Sequence, residues 1–189
     1  MLKIRSPKHK GEKMKTLIAY TTTHGAAAEC ARKIAALTAG PVDVVDLKRN
    51  PAADPAPYGK VILGCSVYGG AVQKAARRYC RTYQSELLKK PMGIFFSCLS
   101  DDEKSLRAYL ERNFPPEIVR RLAAGAALGG AFYFTAMNPA ERFASKIIAG
   151  FYARSHGIAA PDGKSDFIAF SEEKIAAFAD RMNRAEGGR

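Results

Sequence analysis

Five short apolar runs, at residues 16–20, 42–45, 61–65, 92–98 and 126–134, alternate along this chain with segments of helical periodicity. Continuous apolar runs of that length read as strands buried on both faces, the texture of a parallel sheet. The helical segments cover 26–39, 71–89, 102–113 with 115–124, and 171–185. Their ends have physical causes. Gly40 accepts the left-handed conformation and Pro41 cannot continue a helix, Pro91 halts the second segment, and Phe114-Pro115-Pro116 interrupts the third. Ser171 is the N-cap of the last, with Glu172 and Glu173 in its first turn where the helix dipole favours them. Strands alternating with helices through right-handed crossovers predict an α/β, doubly wound, five-stranded parallel sheet with helices on both faces.

One segment is surplus to that plan. Residues 138–155 form an inserted amphipathic helix near the fifth strand, opened by Asn138-Pro139. Phe143, Ile147 and Phe151 recur at i, i+4 and i+8, Ile148 and Tyr152 widen the face, and Arg142, Lys146 and Arg154 supply charge. Packed on its own domain, the helix buries Phe143, Ile147, Ile148 and Phe151 against the sheet, the commoner fate of such a face and the one expected here. Laid on a membrane, it places that face in lipid with its cations on headgroups. A loop then leads to a short extended segment at Phe167-Ile168-Ala169-Phe170.

The 189 residues suit one domain over 14–186, preceded by a basic extension over 1–13 expected to be disordered, with Met14 an alternative first residue. That extension holds five cations against the single acid Glu12, yet the net charge of +12 exceeds its share, so the excess belongs to the whole chain. Such a balance favours phosphate, carboxylate or anionic-lipid partners. Nucleic acid is not expected, because the cations are dispersed and no recognition module appears. Cys30, Cys65, Cys80 and Cys98 form no CxxC pair and the three histidines stand apart from them, so no metal site is expected and a reducing compartment is. No signal-peptide core opens the chain. The uncharged stretch 122–140 approaches the length of a membrane span, but Gly125, Gly129, Gly130 and Asn138-Pro139 read instead as a strand entered through a small-residue turn.

Three loops follow the carboxyl ends of predicted strands, where doubly wound sheets bind ligands. The first, Thr21-Thr22-Thr23-His24-Gly25-Ala26-Ala27, runs straight into a helix. Its hydroxyls and helix-opening amides converge as a phosphate site would require, although it is neither a Walker loop nor a dinucleotide fingerprint. The second, Ser66-Val67-Tyr68-Gly69-Gly70, offers a flat ring and close backbone approach. The third is Ser97-Cys98-Leu99-Ser100. Each loop alone is equally an ordinary strand-to-helix bend; their convergence is what points to a ligand.

The segments MKTLIAYTTTHG, VILGCSVYGG and GIFFSCLS resemble the flavodoxin family over nearly all of residues 14–185. Within it they are most similar to the bacterial menaquinone-dependent protoporphyrinogen oxidases, a likeness that includes the GGAFYF strand and the aromatic-basic helix after it. The resemblance implies a flavodoxin-like fold and FMN held by residues 21–27, 66–70 and 97–100. It implies an enzyme in which the flavin carries the chemistry and no side chain is catalytic. Electrons would pass from protoporphyrinogen to a quinone, in the cytoplasm with peripheral contact at the inner face of the membrane. On that reading Lys74, Arg77 and Arg78 are candidates for the substrate propionates, and Phe143, Ile147 and Phe151 for membrane or quinone contact. The phosphate loop departs from the family pattern at Ala27, where a threonine is usual, and His24 replaces a small or acidic residue. Two alternatives stay open: a soluble electron carrier, which the net charge of +12 disfavours, and a domain of this fold without FMN, which Ala27 favours.

Overall fold

A computed structural model describes residues 14–100 and 102–185; the basic extension over 1–13 lies outside them. The strands are β1 (Thr16–Thr21), β2 (Val42–Asp46), β3 (Lys60–Tyr68), β4 (Ala71–Val72), β5 (Met92–Ser97), β6 (Ala124–Ala127), β7 (Gly129–Phe132) and β8 (Phe167–Phe170). The helices are α1 (Ala26–Leu37), α2 (Lys74–Thr82), α3 (Gln84–Leu87), α4 (Glu103–Asn113), α5 (Pro116–Arg120), α6 (Pro139–Ser155) and α7 (Glu172–Arg184). Strands β2, β1, β3, β5 and β6 pair in that order, all parallel, so the expected doubly wound sheet is present. The chain enters at β1, steps out to β2 and returns across β1 to β3, which leaves a crevice at the carboxyl ends of β1 and β3.

The central strands β1, β3 and β5 are largely apolar because both faces are covered, whereas the edge strand β2 carries Asp43 and Asp46 and is only partly buried. Leu17, Ala19, Val61, Leu63, Ile94 and Phe96 point to one face and pack with α2–α5 through Ala76, Tyr79, Leu87, Leu110 and Ile118. Their neighbours Ile18, Ile62 and Phe95 point to the other and pack with α1 and α7 through Ala31, Ile34, Ile175 and Phe178. Phe95 meets Phe178 edge-to-face at 6.1 Å. Each large side chain buried in these layers contributes about 1.5–3 kcal/mol.

Two predicted elements divide. Residues 71–89 open not as helix but as β4, which pairs antiparallel with the end of β3 in the register Tyr68↔Ala71. Gly69 and Gly70, with φ of +56° and +77°, make the two-residue turn between them, and positive φ at both central positions gives the hairpin its tight reversal. The run 126–134 also splits. β6 ends the parallel sheet, and after Leu128 the chain leaves it to pair β7 antiparallel with β8. Gly129 makes this possible, since its φ is +77° and a Cβ there would lie 2.0 Å from the carbonyl oxygen of Ala169. The uncharged stretch 122–140 is thus edge strand, bend, strand β7, a short 3-10 turn and the start of α6, and no helix among the described residues is long and apolar enough to cross a membrane.

The inserted helix α6 begins where expected, with a reciprocal cap: the Glu141 N–H donates to Asn138 Oδ1 at 2.9 Å and the Asn138 N–H donates to Glu141 Oε2 at 3.1 Å. Its packing overturns the expectation. The buried residues are Ala149 and Ala153, whereas Phe143, Ile147, Ile148 and Phe151 are 69%, 47%, 54% and 68% exposed. Both faces of the sheet are already covered, so α6, which connects β7 to β8, rests instead on that antiparallel pair. There Ala149 joins a small cluster with Phe134 and Met137, flanked by Phe132 and Phe167.

Gly129→Ala is expected to lower unfolding stability by at least about 2 kcal/mol, because strain at positive φ adds to the clash with the β8 backbone. Gly150→Ala, on α6 with no atom within 4 Å of the new Cβ, should gain up to about 1 kcal/mol. Urea unfolding midpoints of the two variants are expected to move in opposite directions.

Candidate functional site

The carboxyl ends of β1, β3 and β5 face a cavity of about 590 Å³. It is walled by the three predicted loops and, opposite them, by β7 and α6. Of the first loop, Thr23, His24 and Ala26 line it. The other members do not, each for a visible reason. Thr21 is buried and its hydroxyl donates to Gln73 Oε1 at 2.9 Å, tying the end of β1 to the start of α2. The Thr22 hydroxyl accepts the Gly25 N–H at 2.9 Å and so closes the loop on itself. Gly25 is the N-cap of α1, and Ala27 is packed in the core beneath. Ala27 therefore contributes no side chain to the cavity lining. The first helical hydrogen bond runs from the Glu29 N–H to the Gly25 carbonyl at 3.0 Å. The amides of Ala26, Ala27 and Ala28 precede it and lie at the positive end of the helix dipole.

The second and third loops line the cavity as a unit: Ser66, Val67, Tyr68, Gly69 and Gly70 on one side, Ser97, Cys98, Leu99 and Ser100 on the other. Ser66 and Ser97 are register partners at the ends of β3 and β5. Both hydroxyl oxygens are buried without a partner at full hydrogen-bond geometry; the Cys30 thiol lies beside Ser97 and the Tyr68 phenol beside Ser66. Burial of an unpaired hydroxyl costs about 1–3 kcal/mol, and these two belong to neighbouring residues of the cavity wall, where a polar ligand could offset that cost. Tyr68 stands half-exposed at the rim; burial raises its phenol above the usual range, and the nearby Thr23 hydroxyl works against that rise.

The glycine turn is held from behind by α4. Asn113 is buried; its Oδ1 accepts the Val72 N–H at 3.1 Å and its Nδ2 donates to the carbonyls of Gly70 and Tyr109 at 3.1 and 2.8 Å. Tyr109, one turn earlier, reaches the cavity itself.

Several lining residues were not legible in the sequence. Gly130, Ala131 and Phe132 come from β7, and Glu141, Ala144, Ser145 and Ile148 from α6. The last four recur at i, i+3, i+4 and i+7, a second helical face that the larger Phe143–Phe151 stripe obscured. Tyr109 left no sequence signal, because only the packing of α4 brings it near. Charge on the lining is sparse: among the described residues no Lys or Arg reaches it, and His24 Nε2 lies 3.9 Å from Glu141 Oε1. Lys74, Arg77 and Arg78 lie outside it, on α2 with Arg81, where Ala76, Tyr79 and Cys80 form the buried side. An anion at the first loop would therefore be met by amides and hydroxyls rather than by cations.

Burial holds three of the thiols in their neutral form. Burial pushes Cys30 up to about 12, with the charge of Glu29 adding to it, and burial alone does the same to Cys80. Cys65 is likewise raised by burial, while the partly exposed Cys98 borders the cavity.

A family model described as flavodoxin domain matches residues 17–154. No curated protein matches the chain in sequence. Among solved structures, a short-chain flavodoxin associated with a non-canonical PDU bacterial microcompartment shares 13% identity at a TM-score of 0.52, covering 90% of this chain and 97% of its own. Flavodoxin 1 from Bacillus cereus shares 19% identity at a TM-score of 0.44, covering 61% of this chain and 84% of its own. A Fusobacterium nucleatum flavodoxin bound to flavin mononucleotide shares 13% identity at a TM-score of 0.42, covering 61% and 70%.

Asn113→Ala leaves the Val72 N–H and the Gly70 carbonyl without their partner and is expected to cost about 1–3 kcal/mol. Hydrogen exchange should localise the loosening to residues 68–72, with the amides of β1 and β5 unaffected.

Proposed function

The chain belongs to the flavodoxin family, and from that premise we propose that it is an FMN-dependent oxidoreductase of the protoporphyrinogen-oxidase type, passing electrons from a porphyrinogen to a quinone. The observation that carries the cofactor is the pair of buried, unpartnered hydroxyls of Ser66 and Ser97 on a cavity that a helix N-terminus also faces. Such a wall fits a ligand with a phosphate at one end and a polar-edged ring at the other. The Fusobacterium nucleatum flavodoxin, similar in fold, is bound to flavin mononucleotide.

The chain's own groups divide the work. Thr23, His24 and the opening amides of α1 would hold the phosphate, through hydrogen bonds rather than ion pairs. Ser66 and Ser97, with the backbone of Gly69-Gly70 and of Leu99-Ser100, would meet the polar edges of the ring, and Tyr68 would cover one of its faces. Asn113 keeps the glycine turn in register with that ring. When bound, FMN supplies two-electron oxidation of the substrate and release of the electrons to an acceptor. Ala144 and Ile148 of α6 line the same cavity as Tyr68 and present a small apolar wall that a broad, flat substrate could lie against while water is excluded.

The porphyrinogen substrate is supported by the sequence resemblance and by the helix that follows the GGAFYF strand, the feature beyond a minimal five-stranded unit. A quinone acceptor is resident in a membrane, so the reading includes peripheral contact with one, and the net charge of +12 suits an anionic inner surface.

Ser66→Ala and Ser97→Ala each remove a hydroxyl that the protein does not satisfy. Their stability without flavin is expected to be unchanged or higher by up to about 1 kcal/mol, while the dissociation constant for FMN rises about tenfold. Fluorescence titration with FMN and thermal unfolding check the two halves. Protoporphyrinogen added anaerobically to the FMN-loaded protein should bleach the flavin's visible band. Persistence of the band would remove the substrate and leave the cofactor standing. Reversible one-electron reduction at low potential with no porphyrin formed would mark a carrier instead.

A further inference from the structure

Several cations on or beside the helices of this chain have an acid within about one turn. Lys89 pairs with Glu86, Arg107 with Glu111, Arg120 with Glu117 and Arg184 with Asp180. Helix α2 departs from this. Lys74, Arg77, Arg78 and Arg81 recur on it at i, i+3, i+4 and i+7, and residues 55–85 hold no Asp or Glu. None of the four side chains meets a carboxylate among the described residues. At about 100° per residue the four share one arc, opposite the buried Ala76, Tyr79 and Cys80. Lys74, Arg78 and Arg81 are exposed and Arg77 is half-buried. Arg112 adds a fifth cation. It is exposed at the end of α4, and a Cβ placed on Gly70 would lie 3.0 Å from its Nη1, so its guanidinium lies against the glycine turn that borders the cavity.

This arrangement works against the helix that carries it. Lys74 is the first helical residue, at the positive end of the dipole, where an acid is favoured and a cation is not. The N-cap Gln73 adds no side-chain hydrogen bond there. Lys74 with Arg78, and Arg77 with Arg81, are like charges at i, i+4, which weaken a helix about as much as opposite charges support one. A partner of opposite charge relieves that repulsion.

We propose that the outer face of α2, with Arg112, is a docking surface for the acidic face of another protein, which it seats beside the cavity mouth. Charge and shape select that occupant. A bilayer is not matched, because the arc holds no apolar side chain to enter the acyl boundary. A nucleic acid follows a longer run of cations, and here the run stops. Beyond Arg81, Lys89 pairs with Glu86, and Lys90 donates to the carbonyls of Pro55 and Tyr58 at 2.7 and 2.8 Å. A second copy would oppose like faces in chains that each carry +12. An acidic protein face about 10 Å long, the rise over seven helical residues, matches in sign and in size. The contact is small and electrostatic, so association is fast, transient and sensitive to salt. The inference goes beyond the functional reading: it requires neither flavin nor a porphyrinogen, and it gives Lys74, Arg77 and Arg78 a role outside the cavity.

Fluorescence anisotropy of a labelled glutamate homopolymer, and of an oligothymidylate of equal charge, tests it on the full chain. The triple variant Lys74→Gln, Arg78→Gln and Arg81→Gln is compared with an equal loss of charge at the exposed, dispersed Lys48, Arg121 and Lys164. The α2 variant is expected to weaken homopolymer binding about tenfold, and the dispersed variant by no more than about twofold. The α2 variant should also unfold at no lower a temperature than the wild type, because its like-charge pairs are reduced. A lower midpoint would show that the cations serve the fold, and would overturn the proposal. Absence of homopolymer binding, or equal losses in the two variants, would overturn it as well. So would tighter binding of the oligothymidylate that the α2 variant abolishes, which would make the face a nucleic-acid contact. Binding to phosphatidylglycerol vesicles lost in the α2 variant alone would assign it to headgroups instead.

Discussion

When both faces of a parallel sheet are covered, any further chain must leave the sheet, and in this protein the exit is at Leu128-Gly129. The Leu128 N–H still donates to Phe96 within the sheet at 2.9 Å, and the next carbonyl, Gly129, accepts the Cys98 N–H at the same distance. One residue later the left-handed turn at Gly129 has redirected the chain into β7, so close against β8 that no side chain fits between them. The Ser171 N–H returns to the Leu128 carbonyl at 3.0 Å, which closes the excursion and starts α7 on the opposite face. Everything between 130 and 170 is therefore added at the ligand end of the sheet without disturbing either core.

That exit turns a shallow crevice into a cavity. The three strand-end loops form only its floor and one wall, while β7 and α6 stand opposite and supply Phe132, Glu141 and Ile148. Several features of the loops are organised for rigidity. Thr22 caps its own loop, Thr21 locks onto Gln73, and Asn113 pins the glycine turn from the adjacent helix. The hydroxyls of Ser66 and Ser97 are the exception, held in place and left without partners. Thr16, Gln73, Tyr79 and Arg142 also hold a buried polar atom without a partner, but among the residues that line the cavity only Ser66 and Ser97 do, and there a ligand can complete them.

The helix α6 shows how an amphipathic pattern can be correct and its interpretation incomplete. The period is helical, the cap at Asn138 is where the residues place it, and the large apolar residues do share a face. Packing against the sheet was the natural expectation, but it requires an uncovered face of sheet, and none remains. The contact is made instead by alanines, which give a helix close approach to an antiparallel strand pair at little side-chain volume. In sequence they read as filler between larger residues.

Local patterns in the chain were enough to define the alternation of strands and helices, the caps at Asn138 and Ser171, and the three loops at the strand ends. Each depends on neighbours within a few residues, whose hydrogen bonds and periodicities act before any distant contact forms. Which members of those loops face the cavity was decided by the tertiary structure, since Thr21 turns to Gln73, Ala27 enters the core and Ser66 meets Ser97 only through the β3–β5 register. The same is true of Tyr109, of the small-residue face of α6 and of the exposed stripe behind it. Their environments are set by surfaces contributed from elsewhere in the chain, and no local rule can tell whether those surfaces are already covered.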